Sequence, residues 1–407
     1  MDAPQNDLPS ISDSNPGWMD RSLPRIFRLF VLVAITLIPT CYIIGHYNPQ
    51  QKFTSLILFG SEFQNRVLPE IKLLNPAVDS PYGYDGQFYA QLAIDPFLQR
   101  PDLRKMSDNA AFRAQRIFLP AMAFILGFGQ PAIVIEVYAV LNLVFWFLLL
   151  AGLLYYLRAT TTRHYLSILA IVLTTGSLTS LQRSLTDLPM ATLGFYAMAL
   201  SGLSATFLMA LAILTKPTAG LFLLKYVWPF PKNGNEVKVK VFYVLIVLVA
   251  PILWNIYIYH IWGAFPDSKS NIGWPFKDWS HCVATNWQAL ITTPFRLTFQ
   301  PVSYWEWRLF ELLAPLSLMF QAVYLLIRRN PDCAYWWMGV GFALLFICLT
   351  QPVFAEQIAS ARTVLPMTIA FNIQLLQQKG SVYAFCFFGG NAGLVWALHE
   401  TLVFCFR

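Results

Sequence analysis

Charge is what this sequence has least of. Only 12% of its 407 residues are Asp, Glu, Lys or Arg, about half the share in ordinary globular chains. Apolar residues reach 57%, and so few charges cannot cover a water-facing surface of this size. A set of soluble domains, which length alone would suggest, is thereby excluded. The charges present are also clumped: Ile117–Leu157 contains only Glu136, and Leu188–Thr215 and Val241–Trp262 contain none. Runs of ~20 apolar residues are what a hydrocarbon core of about 30 Å demands of a helix, so the chain reads as a polytopic integral membrane protein.

Other absences narrow the chemistry. The 6 cysteines show no CxxC or CxxxC spacing, which leaves neither a zinc site nor a disulfide framework supported. His46, His164, His260, His281 and His399 are dispersed, so a histidine metal site has no basis in the sequence. Walker-type GxxxxGK[ST], HExxH, GxSxG and a dinucleotide-binding GxGxxG are all missing, and with them the motif support for nucleotide hydrolysis, zinc proteolysis and serine hydrolysis. The net charge of +7 does not form one basic patch interleaved with aromatics, so nucleic acid is not an expected partner. No internal repeat is visible, which weighs against an inverted-repeat transporter.

What is present fixes a topology. Short basic clusters at Arg158–Arg163, Lys232–Lys240, Arg328/Arg329 and Lys379 lie between apolar runs, the pattern that places such loops in the cytoplasm. Residues 1–27 form a polar, Pro-rich tail expected to be cytoplasmic and disordered. The first apolar run, Leu29–Ile44, is long and lacks an A-x-A cleavage site, so it is a retained helix and not a signal peptide. Residues 28–407 are expected to form one transmembrane domain of about nine helices, all-α, near 28–46, 131–157, 164–181, 188–203, 241–262, 309–327, 334–350, 363–377 and 381–404. Two hydrophilic regions then lie outside: 47–130, with amphipathic helices on the membrane surface, and 263–308, rich in aromatics. The short apolar helix 117–128 is expected to lie along the outer face. The segment 205–229 must begin and end on the inner side, and Lys216–Pro217 splits it into a re-entrant helical pair, because proline removes a helix hydrogen bond.

Four constellations carry ionisable groups. In Ser80–Phe97, Asp85 stands between Gly83 and Gly86 at the head of a helix whose Phe88, Tyr89, Leu92 and Ala93 fall on one stripe. It caps that helix, serves as a general base for a hydroxyl, or does both. Arg113 and Arg116, at i and i+3, face the same way and suit either an anionic headgroup or simple interfacial anchoring. Arg183 with Asp187, and Glu356 with Arg362, sit at helix rims. Lys216 has no acidic residue from 188 through 235, so its counter-ion is Asp187 or Glu136 across the fold, or a substrate.

These motifs in this order resemble the GT-C superfamily of membrane glycosyltransferases, which use polyprenyl-phosphate-linked sugars. GYDGQFY (83–89), with Tyr84, Asp85, Gln87 and Tyr89, is similar to the YDGQFYY-x-x-A-x-DP of bacterial members. RAQRIFLP (113–120), SLTDLP (184–189), AILTKPTAG (212–220) and ARTVLP (361–366) follow as in that family. The resemblance implies an inverting transfer at the extracytoplasmic face, with the N-terminus cytoplasmic and the chain in a bacterial inner membrane. Asp85 would take the proton of a glycan or lipid acceptor's hydroxyl, and Arg113, Arg116, Lys216 or Arg362 would hold the departing lipid phosphate, supported by Asp187 and Glu356. The first loop lacks the DxD of metal-dependent relatives; a divalent metal could still be held loosely by Asp85 with Asp79. Two other classes compete: a transporter or flippase of a lipid-linked or anionic solute using Lys216, Asp187 and Arg362, and a noncatalytic scaffold subunit.

Overall fold

Proline, glycine and a few polar residues decide where the helices of this chain stop, and the stops place the ionisable groups. The computed structural model describes residues 19, 21–107, 109–227, 233–266, 271–295 and 304–405. The tail 1–18, Lys232 and parts of the 263–308 region lie outside them.

Among the described residues, four helices are long and apolar enough to cross a bilayer: Arg25–Gly45, Pro131–Leu157, Gly234–Trp262 and Trp305–Ile327. Two bent pairs raise the count to six if each is one span, Thr162–Val172 with Thr175–Gln182 at 44° and Gly380–Gly390 with Ala392–His399 at 57°. The chain is thus a helical membrane protein. Most of the outward-facing side chains on Arg25–Gly45 and Gly234–Trp262 are apolar, Leu29, Phe30, Leu37, Leu245, Leu253 and Ile256 among them. Lipid, not water, suits such a face. Three other expected spans are shorter, Asp187–Ala199, Ala334–Ile347 and Leu365–Leu375 with only 13, 14 and 11 residues, as is Gly202–Thr215 of the expected re-entrant pair, with 14. At 1.5 Å per residue none reaches the ~30 Å of a hydrocarbon core alone. Prolines and polar breaks end them early; all of Leu365–Leu375 is buried, whereas Gly202–Thr215 keeps Leu203 and Phe207 exposed.

The expected break at Lys216–Pro217 is present. Lys216 is extended, with φ −157° and ψ 125°, the conformation a following proline favours. Gly202–Thr215 runs back alongside Asp187–Ala199, so Lys216 returns to Asp187. A 3₁₀ turn, Pro217–Leu223, and the short helix Leu224–Val227 then reverse again. Lys225 Nζ donates to the carbonyls of Ala197 (2.8 Å) and Leu200 (2.6 Å) at the far end of Asp187–Ala199, satisfying acceptors that a helix end leaves without partners.

The bent pairs solve the same problem together. Thr175 Oγ1 donates to Gly393 O at 2.8 Å, Gln321 Nε2 to Gly390 O at 2.6 Å, and Asn372 and Asn391 exchange amide hydrogen bonds at 3.0 and 3.1 Å. Backbone opened at one break is closed by side chains of the neighbours, as apolar surroundings require.

Residues 47–130 do not form loose surface helices. The segment builds a packed layer with a two-stranded parallel sheet, Phe59–Gly60 beside Val78–Ser80, and the helices Gly86–Ile94, Ala110–Ala114 and Phe118–Leu126. Gly86–Ala93 is buried on every side, which corrects the expectation of an amphipathic helix on the membrane. Its stripe of Phe88, Tyr89, Leu92 and Ala93 meets protein, because Ala110–Ala114, Phe118–Leu126 and the long Pro131–Leu157 pack against the helix. Pro131–Leu157, about 40 Å long at 1.5 Å per residue, separates two faces. Near its start Tyr138 and Asn142 donate to Ser184 O (2.8 Å) and Leu185 O (2.9 Å). Beyond its far end, the basic 158–163 loop bridges to Ser22 and Arg163 donates to Gln378 O.

Close contact in the buried bundle depends on Gly194, where a Cβ would stand 2.2 Å from the Phe222 ring. That ring in turn rests on Phe342, with centroids 5.6 Å apart. Gly194→Ala is therefore expected to cost roughly 1–3 kcal/mol by overpacking, seen as a lower melting temperature in detergent. Adding Phe222→Leu should recover part of the loss; a Gly194→Ala chain that melts like wild type would show that the helices separate freely there.

Candidate active site

The head of Gly86–Ile94 is held by backbone fit before any charge acts. Gly83 has φ +63°, a conformation that L side chains rarely adopt. At Gly86 a Cβ would stand 2.5 Å from the Arg183 carbonyl oxygen. Gln87, expected to support the site, binds the loop instead of a charged group: its Oε1 accepts from Gly60 N at 3.1 Å and its Nε2 donates to Tyr82 O at 2.9 Å. The turn between Thr175–Gln182 and Asp187–Ala199 is pinned against this loop. Its Ser184 has φ +47° and donates to Ala139 O at 2.9 Å.

Asp85 is not a helix cap in function. Its side chain makes no capping hydrogen bond because both carboxylate oxygens are taken by arginines. Arg113 Nη1 donates to Oδ1 at 2.6 Å and Arg362 Nη2 to Oδ2 at 3.3 Å. Arg362 reaches further: its Nη1 donates to Asp187 Oδ2 at 2.8 Å, while Lys216 Nζ takes Asp187 Oδ1. Asp187 is fully buried, whereas the Asp85 side chain keeps 20% of its surface exposed. Glu136, the other possible partner of Lys216, accepts from Phe53 N at 3.1 Å instead.

Aromatic rings line the cluster. Arg113 lies over Phe88 (4.9 Å to the ring centroid), and Arg116 over Phe112 (4.9 Å) and Tyr89 (5.4 Å), whose hydroxyl it also contacts. Tyr84 stands under both Arg183 (4.3 Å) and Arg362 (5.3 Å), and its hydroxyl donates to Glu356 Oε2 at 2.9 Å. Arg183 Nη1 is 4.0 Å from Glu356. Such contacts hold planar guanidinium groups in orientation without spending their donors.

Nine of the sequence-derived residues thus converge: Tyr84, Asp85, Tyr89, Arg113, Arg116, Asp187, Lys216, Glu356 and Arg362. Arg183 joins them through Tyr84 and Glu356 and not through its sequence neighbour Asp187; Phe88 and Phe112 had no local signal beyond an apolar stripe. Five cations face three carboxylates, Asp85, Asp187 and Glu356, leaving an excess of two positive charges. The Nε atoms of Arg116 and Arg362 are buried with no acceptor among the described residues. Arginine donors left open beside an excess of positive charge fit an anionic ligand.

The described residues contain no group of three or more His, Cys, Asp or Glu side chains placed to hold a metal ion. The Asp79 side chain lies outside the described residues. No protein-family model matches the chain, and neither a curated protein nor a solved structure matches it.

Burial pushes the Asp85 carboxyl up, but Arg113, Arg362 and Arg116 together outweigh burial and hold it down at about 2. A carboxyl whose folded value is depressed contributes stability above its unfolded value, and that contribution is lost as pH falls towards the folded one. Between about pH 4 and pH 2, the melting temperature of the wild type should fall more steeply than that of Asp85→Asn; parallel curves would mean that the arginines do not act on this group.

The Asp187 arrangement also fixes the ranking of two substitutions. Asp187→Asn leaves Lys216 and Arg362 facing each other in a buried site without their shared anion, and about 3–5 kcal/mol is the usual loss when one partner of a buried pair is removed. Lys216→Gln still leaves Asp187 with Arg362, so its loss should be the smaller. Thermal melts of the two single variants check the order, and a more damaging Lys216→Gln would mean that Arg362 does not share the charge of Asp187.

Proposed function

We propose that the chain is an inverting glycosyltransferase of GT-C type that moves a sugar from a polyprenyl-phosphate donor to an acceptor hydroxyl at the extracytoplasmic membrane face. The observation that carries this reading is the partly exposed carboxylate of Asp85, gripped by two arginines in a cluster whose cations outnumber its acids. A carboxylate and a cationic surface are the two things such a transfer needs side by side. The acceptor oxygen attacks the anomeric carbon as its proton passes to Asp85, the bond from that carbon to the phosphate oxygen breaks, and its electron pair leaves on the lipid phosphate. Negative charge grows on that phosphate, and cations already in place stabilise it without reorganising. Arg113, Arg116 and Arg362 are positioned for this, with Arg183 at the rim. Lys216, engaged with Asp187, adds its field from below.

Orientation follows from the basic loops. Residues 158–163 and the Gln378 turn share one end of the bundle with Ser22, and the charge rule makes that end cytoplasmic. The nine-span arrangement then counts the short pairs as broken spans, with Gly202–Thr215 and Pro217–Val227 entering and returning. The Asp85 cluster, at the opposite end, faces outward, where lipid-linked sugars meet envelope glycans.

Two experiments test the proposal. Asp85→Asn should lower transfer from a polyprenyl-phosphate sugar by about 10²–10⁴-fold in a chain that still melts cooperatively; retained transfer would sink the role of Asp85. A cysteine at the exposed Asn65, with the native cysteines replaced, should react with an impermeant thiol reagent in intact cells. Labelling only after permeabilisation would invert the topology.

A further inference from the structure

We infer that Asp85 is the resident anion of the phosphate subsite, so that the donor's phosphate binds by displacing the Asp85 carboxylate from Arg113 and Arg362 and so frees it. This rests on the proposed function and adds an order of events to it: the base is released by the arrival of the group it must serve.

The geometry separates two kinds of ion pair within one cluster. Asp187 has no exposed surface, and both its oxygens are held, by Lys216 and by Arg362 at 2.8 Å. An incoming ligand has no route to it. Asp85 holds the same arginine by the longer contact, 3.3 Å, and keeps 20% of its side chain open. Arg362 is therefore anchored at one nitrogen and exchangeable at the other. Arg113, 15% exposed, offers its Nη1 to Asp85 from the opposite side. Any anion that reaches these two guanidinium groups from outside meets donors already committed to a carboxylate, and binding must exchange one anion for the other. Guanidinium forks match phosphate as well as carboxylate, and a phosphate spreads its charge over more acceptor oxygens than a carboxylate.

The exchange also resolves a chemical conflict. A carboxylate gripped by two arginines is a poor proton acceptor, because the cations stabilise its charged form. Moving those cations onto the phosphate restores basicity to Asp85 while the donor is bound, and withholds it when the site is empty.

The test is binding, with the full chain in detergent and farnesyl phosphate as probe. Removing a competing anion should tighten the probe, so Asp85→Asn is expected to lower Kd roughly tenfold, the scale of one displaced charge-assisted contact. Asp85→Glu, which keeps the competitor, should stay within about threefold of wild type. Glu356→Gln separates displacement from general charge: Glu356 neighbours the same cluster but holds neither Arg113 nor Arg362, so its loss should tighten binding much less. Equal tightening by Glu356→Gln and Asp85→Asn, or an unchanged or weaker probe affinity in Asp85→Asn, would overturn the displacement. Should Asp85→Asn fail to fold by its melting curve, Asp85→Ser removes the same charge and is read in the same way. Inorganic phosphate and farnesol run in parallel: tightening seen with inorganic phosphate but not the lipid would assign the subsite to a free anion and overturn the lipid headgroup, while farnesol should show no dependence on Asp85. The two proposals fail separately. Unchanged lipid affinity with lost transfer removes the displacement and keeps Asp85 as the base, whereas tightened affinity with intact transfer keeps the displacement and removes Asp85 as the base.

Discussion

Arg362 joins the two halves of the site, and the rest of the ionic cluster depends on that single bridge. One nitrogen holds Asp187 and another holds Asp85, so the bundle-buried acid and the loop-borne acid share a cation. In a medium with little water a buried charge must be matched locally or not be ionised at all. That constraint explains why Lys216, Asp187 and Arg362 are found together although 29 and 175 residues separate the partners along the chain. It also explains why the helices carrying them are short. Each ionisable residue stands at a helix end, where the chain has already turned away from the lipid, and a full-length span would have carried it past its partner.

The same constraint shapes the parts that carry no charge. Backbone polar groups opened by the bends near Thr174 and Asn391 would be stranded in hydrocarbon if each helix stood alone. At the second bend they instead find Thr175, Ser317 and Gln321 on neighbouring elements, while Asn391 turns its own amide back to Phe387 O. Broken helices and buried amides are therefore one feature. The bends bring Ala361, next to Arg362, against Gly176, where an added Cβ would stand 2.7 Å from the Ala361 carbonyl oxygen. Thus the path from helix geometry to the arginine's position is short.

Features coded by adjacent residues were legible in the sequence. Pro217 opens the helix at Lys216 because a proline cannot donate, and Gly83 and Gly86 frame Asp85 because nothing larger fits; both were readable from residue type alone. The membrane character followed from composition. What could not be read was anything that depends on distant segments closing over one another. The stripe of Phe88, Tyr89, Leu92 and Ala93 has the same periodicity whether it faces lipid or protein, and only the packed layer of 47–130 decides for protein. Asp85 occupies a position where a cap is ordinary, yet Arg113, 28 residues on, and Arg362, 277 residues on, outbid the local N–H groups. A charged partner is worth more to a carboxylate than a neutral amide, and sequence spacing contains no term for it. The described helices supply four to six long apolar spans, fewer than hydropathy suggests, for a related reason: hydropathy windows join short apolar helices across breaks that polar side chains stabilise.

Division of labour among the three carboxylates follows from depth. Asp187 lies deepest and is closed on both oxygens, so it can serve only as the fixed counter-charge that keeps Lys216 and Arg362 in place. Glu356 is the most exposed, at 56% of its side chain, and it acts on the site through the Tyr84 hydroxyl. Asp85 lies between, deep enough for the arginines to act on it at low effective dielectric and open enough to meet a hydroxyl. The proposed transfer would need that intermediate position. A carboxylate in bulk water would be screened from its arginines, and one at the depth of Asp187 would never touch substrate. The packed layer of residues 47–130 is what sets the depth, since it carries Asp85 down to the plane of Arg362 while leaving one side uncovered.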